Sequence, residues 1–371
     1  MNPTGRPRTD LRPKKILCLR LRRMGDVIMT TPAVSLLKRH FPDAALSYLV
    51  EEPFRRLVEG NPHLARVIIV PERQGFGDFL RLIRDIRRER YDILLDFHGG
   101  PRATWITLLS GACLKVGYAI RPNGFPYDLK VSRQGKHGPI HSVENHANLV
   151  RALGVRFERE EIPALELPDA RREESERVKN IMAMAGINLK PQPGAREKTN
   201  VVVVHIGAGN RFRDWGKKNI ADLVGRLAAS PRIKVILTGT PSDQKAEREI
   251  LAAAEPDRIL SLVGKLNLAE VRELISRAAL FVGPDSGPMH LAAATRTPVV
   301  ALFGPTLPAV FGPWRPDPEL SARTVILEKS MDCRPCPQRD CVTGDFRCLQ
   351  TISPGDVFGA CLPFLEPGKV I

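Results

Sequence analysis

At 371 residues the chain is too long for one ordinary core, so two domains are expected. Its composition is globular, 43% hydrophobic and 26% charged, and no apolar run is long enough to span a membrane. Lys and Arg outnumber Asp and Glu 56 to 41, a formal charge of +15, which favours anionic partners (nucleic acid, nucleotides, phosphorylated glycans or a membrane surface) without choosing among them.

Residues 1–14 are polar, basic and proline-containing, and read as a mobile arm. They lack the apolar centre of a signal peptide, so a cytoplasmic location is expected. Lys15 to Leu21 (KILCLRL) is the first strand, and Arg22-Arg23-Met24-Gly25-Asp26 turns into a helix running to Phe41. Pro32 lies near enough to that helix start to be tolerated. Asp26, between strand and helix, stands where an α/β protein places a working carboxylate; on position alone a helix-start acid favoured by the dipole is the better reading. Strands follow at Ala45–Val50, Val67–Val70 and Ile93–Phe97. Between the last two, Phe79, Leu80, Ile83 and Ile86 recur at helical spacing, predicting an inward face. Arg81, Arg84, Arg87, Arg88 and Arg90 are left on the outer face, either simply solvated or set against anionic lipid headgroups. The turn His98-Gly99-Gly100-Pro101-Arg102 opens the next helix and offers either space for a ligand or an ordinary turn. Further helices are expected at Val143–Leu153 and Arg171–Ala185.

The polar, proline-bearing segment 186–199 reads as an interdomain linker. A second alternating series begins with VVVVHI, Val201 to Ile206, a doubly covered parallel strand. Gly207-Ala208-Gly209 begins a near miss of the dinucleotide fingerprint, with Phe212 at the third glycine position, which excludes NAD. Arg213, Lys217 and Lys218 supply cations for a diphosphate. Ile233 to Leu237 is another strand, ending at Asp243, which suits either a ribose hydroxyl or a helix cap. After a helix from Leu268, a short strand (Ala279 to Val282) leads into Gly283-Pro284-Asp285-Ser286-Gly287, a small-residue helix carrying His290, and the strand Val299–Phe303. A turn at the carboxyl end of a parallel strand opens on the ligand crevice, and a helix N-terminus suits phosphate. Asp285 or Ser286 as a plain N-cap and His290 as a core histidine remain the competing reading.

Four of the seven cysteines, Cys333, Cys336, Cys341 and Cys348, lie close together in the tail. Clustered thiols suggest a metal, although the spacing is not that of a zinc ribbon; reduced cysteines packed in loops are the alternative. With 6% aromatics and no stacking run among its scattered cations, the chain is not expected to bind nucleic acid.

Three stretches, taken together and in order, carry a family resemblance. They are ILCLRLRRMGDVIMTTPAVSLLKRHFPDAALSYLV, VVVVHIGAGNRFRDWGKKNIADLV and FVGPDSGPMHLAAATRTPVVALFGPT, followed by CRPCPQRDC and ISPGDV in the tail. From about Lys15 onward the chain resembles the lipopolysaccharide heptosyltransferases, glycosyltransferase family 9. The resemblance implies a GT-B fold, two Rossmann-like doubly wound α/β domains facing across a cleft. An acceptor-binding domain would occupy 15–185, a nucleotide-sugar domain 200–330 and a cysteine-containing tail 331–371. It implies an inverting transfer from ADP-heptose to a hydroxyl of the lipopolysaccharide inner core or a lipid A-linked acceptor, with no cofactor or metal required. The enzyme would work in the cytoplasm, with an anionic membrane surface as a further partner. Another GT-B nucleotide-sugar transferase or an epimerase is the alternative. Carried over residue by residue, Asp26 resembles the general base. Gly25, His98, Gly99 and Arg102 fall on the acceptor side. Arg213 stands where relatives carry a lysine for the diphosphate, Lys217 being the other candidate. Asp243 resembles the residue near the ribose and Leu266 the one near adenine, while Asp285, Ser286, Gly287 and His290 fall on the donor motif.

Overall fold

Aliphatic runs without polar alternation make strands that are covered on both faces. The computed structural model describes residues 11–73, 75–133, 138–187, 199–253 and 258–365. Its first unit, Met1–Pro168, carries β1 (Lys15–Leu19), α1 (Met24–Met29), α2 (Thr31–His40), β2 (Ala45–Glu51), β3 (Arg66–Val70), α3 (Phe76–Glu89), β4 (Ile93–Asp96), α4 (Pro101–Leu109), β5 (Leu114–Tyr118), β6 (Leu129–Val131) and α5 (Ser142–Arg151). The sheet is parallel, in the order β3-β2-β1-β4-β5-β6. β1 pairs with β2 on one side and β4 on the other, so strand order reverses there and leaves a crevice at the carboxyl ends of β1 and β4. Leu17, Leu19 and Leu94 from the sheet pack against Ile83 and Ile86 of α3 and Ala103 and Ile106 of α4.

The second unit, Asp169–Ile371, carries α6 (Arg172–Met184), β7 (Asn200–His205), α7 (Lys217–Ala228), β8 (Ile233–Thr238), α8 (Gln244–Ala252), β9 (Ile259–Ser261), α9 (Leu268–Arg277), β10 (Leu280–Pro284), α10 (Gly287–Ala293), β11 (Val299–Phe303), α11 (Pro308–Phe311), α12 (Pro318–Ala322), β12 (Thr324–Glu328), α13 (Arg347–Gln350) and α14 (Pro354–Leu365). Its parallel sheet runs β12-β11-β10-β7-β8-β9, the same winding as the first, with the reversal between β7 and β10. Each unit is Rossmann-like and doubly wound. No helix among the described residues is long and apolar enough to cross a membrane.

Several expectations need correction. The helix expected through Phe41 is two helices. Pro32 has no N–H to give the Ile28 carbonyl, which Thr31 Oγ1 occupies instead at 2.9 Å, and Thr30 Oγ1 closes α1 on Val27 O at 2.7 Å. Leu80 does not face inward with Ile83 and Ile86; it lies at the margin of the apolar stripe and is exposed. Helix α6 belongs to the second unit, not the first, because it packs on α9. Arg177 Nη1 meets Glu270 Oε1 at 2.7 Å and Ser175 Oγ donates to Glu273 Oε1 at 2.7 Å. The domain division therefore precedes this helix; most of the expected linker (188–198) and of the N-terminal arm (1–10) lies outside the described residues.

The cysteine-bearing segment is no separate tail either. Leu349, Ile352, Val357, Cys361 and Leu365 share a core with Val202 and Leu223, and Trp215 Nε1 donates to Ile352 O at 2.9 Å. Strands β5, β6, β9 and β12 are only three to five residues long and were not among the expected strands.

Candidate active site

The chain leaves β1 at Leu19, and the next side chain decides the local chemistry. Arg20 is buried. Its Nη1 donates to Phe97 O, just beyond β4, at 2.5 Å, and its Nη2 meets Asp26 Oδ2 at 2.5 Å. One guanidinium thus ties the two strand ends together and holds the Asp26 carboxylate at the crevice. Asp26 also accepts from the Arg23 N–H at 3.4 Å as the third residue of α1, so the capping role is real and coexists with exposure of about a third of its side chain. Burial alone would raise this carboxyl, but the Arg20 charge and the Arg23 N–H outweigh it and hold its pKa below the ordinary aspartate value.

The turn after β4 is built on Asp96, a fully buried carboxylate that accepts from the N–H groups of His98 (2.7 Å) and Gly99 (2.9 Å) and from Tyr127 Oη (2.6 Å). Gly99 has φ +69°, and a Cβ there would press on Ile120 at 3.1 Å, so glycine is required. His98 is pushed down to about 4 by burial and then by the charges of Arg20 and Arg22, so it is neutral at pH 7. His146 of α5, hydrogen-bonded through Nδ1 to Tyr118 Oη at 2.6 Å, is lowered well below its ordinary value, first by burial and then by Arg20. Gly25, Asp26, His98 and Gly99 therefore gather at the β1/β4 reversal. Arg102 is engaged elsewhere: it meets Glu51 Oε1 at 2.9 Å and Pro71 O at 3.1 Å, fastening α4 to the ends of β2 and β3.

The second unit repeats the placement. Asp285, directly after β10, is buried; Thr306 Oγ1 donates to its Oδ2 at 2.6 Å and Arg213 Nη1 lies 3.2 Å from the same oxygen. Arg213 is held further by the Asp285 carbonyl at 3.3 Å and, through Nε, by Gln338 Oε1 at 3.1 Å, which also accepts from Asn210. Ser286 occupies the N-cap position of α10 but makes no side-chain cap, and its buried Oγ has no hydrogen-bond partner among the described residues. His290 is buried inside α10. The C-terminal end of this short helix is clamped by Arg315, whose Nη2 donates to Thr297 O (2.6 Å) and Ala292 O (2.8 Å).

The remaining donor candidates divide. Asp243 closes its own turn, accepting from Thr240 N–H and Oγ1 at 2.7 Å, and lies against Gly207 so closely that a Cβ there would clash. Lys217 is drawn away by an ion pair with Glu249 of α8, so it does not join Arg213 and Asp285. Leu266 is half-buried in the loop after β9. Among the described residues no group of three or more His, Cys, Asp or Glu side chains is placed to hold a metal, Cys333, Cys336, Cys341 and Cys348 included. Each is a half-buried free thiol, and Cys336 Sγ accepts from the Gln338 N–H at 3.3 Å.

Sequence reasoning missed Arg20, Asp96, His146, Thr306 and Gln338. Arg20 had a readable signal, a charge at the end of an otherwise apolar strand; Gln338 had none.

The chain is similar to known proteins in sequence and fold. The family model described as glycosyltransferase family 9 (heptosyltransferase) matches residues 79–346. Lipopolysaccharide heptosyltransferase 3 of Escherichia coli is 26% identical over 347 residues, covering 91% of this chain and 95% of its own. Among solved structures, a family 9 glycosyl transferase from Veillonella parvula superimposes with a TM-score of 0.78 at 22% identity, covering 96% of this chain and 98% of its own. The E. coli ADP-heptose lps heptosyltransferase II gives 0.74 at 22% identity, covering 96% and 100%. The two Rossmann-like units make the GT-B fold, and with the family model spanning well over half its length, this chain belongs to glycosyltransferase family 9, the heptosyltransferases, and is a glycosyltransferase.

Proposed function

We propose that the chain is an inverting heptosyltransferase moving heptose from ADP-heptose to a hydroxyl of the lipopolysaccharide inner core, in the cytoplasm, with Asp26 as the general base. The observation that carries this reading is the Arg20-held Asp26 carboxylate, about a third exposed, at the β1/β4 reversal. It is supported by the names of the relatives and by a second polar cluster, Arg213 with Asp285, at the corresponding reversal of the donor unit. In the transfer, the acceptor oxygen forms a bond to the anomeric carbon while its proton passes to Asp26. The bond from that carbon to the phosphate oxygen breaks, and ADP leaves with the electron pair. Arg213 offsets the charge gathering on the diphosphate, and the Ser286 hydroxyl is available to it. Asp243 and Leu266 flank ribose and adenine, with Gly287 and His290 completing the donor side.

A donor-by-acceptor screen following ADP release tests the assignment. ADP-heptose with truncated lipopolysaccharide cores is expected to turn over and UDP- or GDP-sugars to stay idle; turnover restricted to another nucleotide sugar would refute it.

The state of Asp26 fixes a pH dependence. Its folded pKa lies below the ordinary value, so the base is ionised, and its contribution is lost only as pH falls through that lowered value. Activity is therefore expected to be flat on the acid side down to the ordinary aspartate range. Arg20→Gln removes the charge and leaves burial, which raises the carboxyl, so the acid limb of kcat/KM moves to higher pH. An unmoved limb would remove Arg20 from this role.

A further inference from the structure

A lone exposed apolar side chain is ordinary, but two aromatic rings held in contact at the surface by a buried polar network call for a reason beyond packing. In the first unit Trp105 is 53% and Phe125 57% exposed, and their rings meet edge-on at 6.5 Å. Both are tied to the His98-Gly99-Gly100 turn at the β1/β4 reversal. Along α4 the exposed residues are Pro101, Trp105 and Leu108, one stripe at helical spacing that starts directly after Gly100. Phe125 lies in the loop between β5 and β6. There Asn123 Nδ2 donates to Gly99 O at 3.2 Å, and Asn123 O accepts from Thr104 Oγ1 at 3.2 Å. Two residues beyond Phe125, Tyr127 Oη donates to Asp96, the same carboxylate that accepts from the His98 and Gly99 N–H groups. The loop closes on itself at Gly124, whose N–H donates to Ile120 O at 2.6 Å and where a Cβ would press on that oxygen at 3.0 Å. One network therefore fixes both the crevice turn and the segment that presents Phe125 to solvent.

Size and chemistry select the occupant. By the areas usual for such side chains, Trp105, Phe125 and Leu108 together expose roughly 300 Å². A stable protein interface takes about 800 Å² from each partner, so a second copy of this chain or another folded protein does not fit the patch. The two rings stand at 76° to each other, an open corner and not a closed stack. The C–H groups on one face of a pyranose carry partial positive charge and meet the negative face of an aromatic ring, while the hydroxyl rim stays in water. We propose that Trp105 and Phe125 form a stacking subsite for a sugar ring of the acceptor oligosaccharide other than the ring that receives the transferred sugar. The inference rests on the reading of the acceptor as a lipopolysaccharide core and adds to it the residue pair that selects among cores.

The protein carries its own probe. Trp215 and Trp314 are buried, leaving Trp105 as the exposed member of the three tryptophans. The unaltered full chain is titrated, without donor, with deacylated lipopolysaccharide core oligosaccharide or with the reacting sugar as a simple glycoside. The full oligosaccharide is expected to shift Trp105 emission and protect it from acrylamide quenching, and the glycoside to do neither. In steady-state turnover Trp105→Ala should raise KM for the full oligosaccharide about tenfold and leave kcat within about twofold, the mark of a contact made equally before and during the reaction. Phe125→Ala should act in the same direction, Trp105→Phe should recover most of the loss, and KM for the glycoside should not move. Emission unmoved at oligosaccharide concentrations that saturate turnover, an equal KM rise for the glycoside, or a fall in kcat alone would each overturn the proposal. So would binding of the unaltered chain to phosphatidylglycerol vesicles that Trp105→Ala abolishes. The fluorescence titration needs no variant to fold. A Trp105 response without ADP release would refute the transfer reaction and leave the subsite standing, whereas turnover of the full core without that response would refute the subsite alone.

Discussion

Replacing Asp26 with Asn is expected to lower kcat by about 10²- to 10⁴-fold, the range in which a positioned general base contributes. Asparagine keeps the shape of the side chain and an oxygen that can accept from the Arg23 N–H and from Arg20. It cannot take the acceptor proton. Arg20 retains its bond to the Phe97 carbonyl, and because Asp26 is about a third exposed, water screens part of the lost ion pair, so the stability cost is roughly 1–2 kcal/mol. Thermal unfolding and ADP titration separate chemistry from damage: the melting curve should shift by a few degrees and ADP affinity should stay the same, because the residues proposed to bind the donor belong to the other unit. Near-unaltered turnover would defeat the base assignment. A parallel loss of ADP binding would show that the substitution harmed the whole molecule instead.

The residues legible in the sequence were those that a strand end places at the crevice. In a doubly wound sheet the crevice forms at strand ends, so Gly25-Asp26, His98-Gly99 and Asp285-Ser286 could be placed from the strand-turn-helix pattern around them. The residues that hold them could not. Arg20 acts through Phe97 and Gln338 through Arg213, and these partners are brought together by strand order, not by spacing in the chain. The domain boundary failed for a related reason. The amphipathic helix α6 advertises that it covers an apolar surface, but nothing in its residues states which sheet; Arg177 and Ser175 reveal that only beside Glu270 and Glu273. Leu80 shows the limit of periodicity, since a residue at the edge of an apolar stripe can turn to either side. In this chain it turned outward.

Arg213→Met is expected to weaken ADP binding roughly 10- to 100-fold, the equivalent of one charged hydrogen-bonding group lost from a diphosphate site. The argument rests on how the three candidate cations are held. Lys217 is committed to Glu249 on the neighbouring helix, and Lys218 follows it at the start of α7. Arg213 alone of the three meets Asp285, and its fork is already oriented by the Asp285 carboxylate, the Asp285 carbonyl and Gln338. A guanidinium fixed in this way needs little reordering when a diphosphate arrives, so more of its attraction appears as affinity. Lys217→Met should accordingly change ADP affinity by less than about threefold, and Arg213→Lys should fall between, keeping the charge while losing the planar fork. Calorimetric titration with ADP orders the three variants. The outcome that defeats the assignment is the reverse order, with Lys217→Met losing affinity and Arg213→Met binding ADP as the unaltered chain does. That result would leave Arg213 as the structural partner of a buried aspartate and return the phosphate to the start of α7.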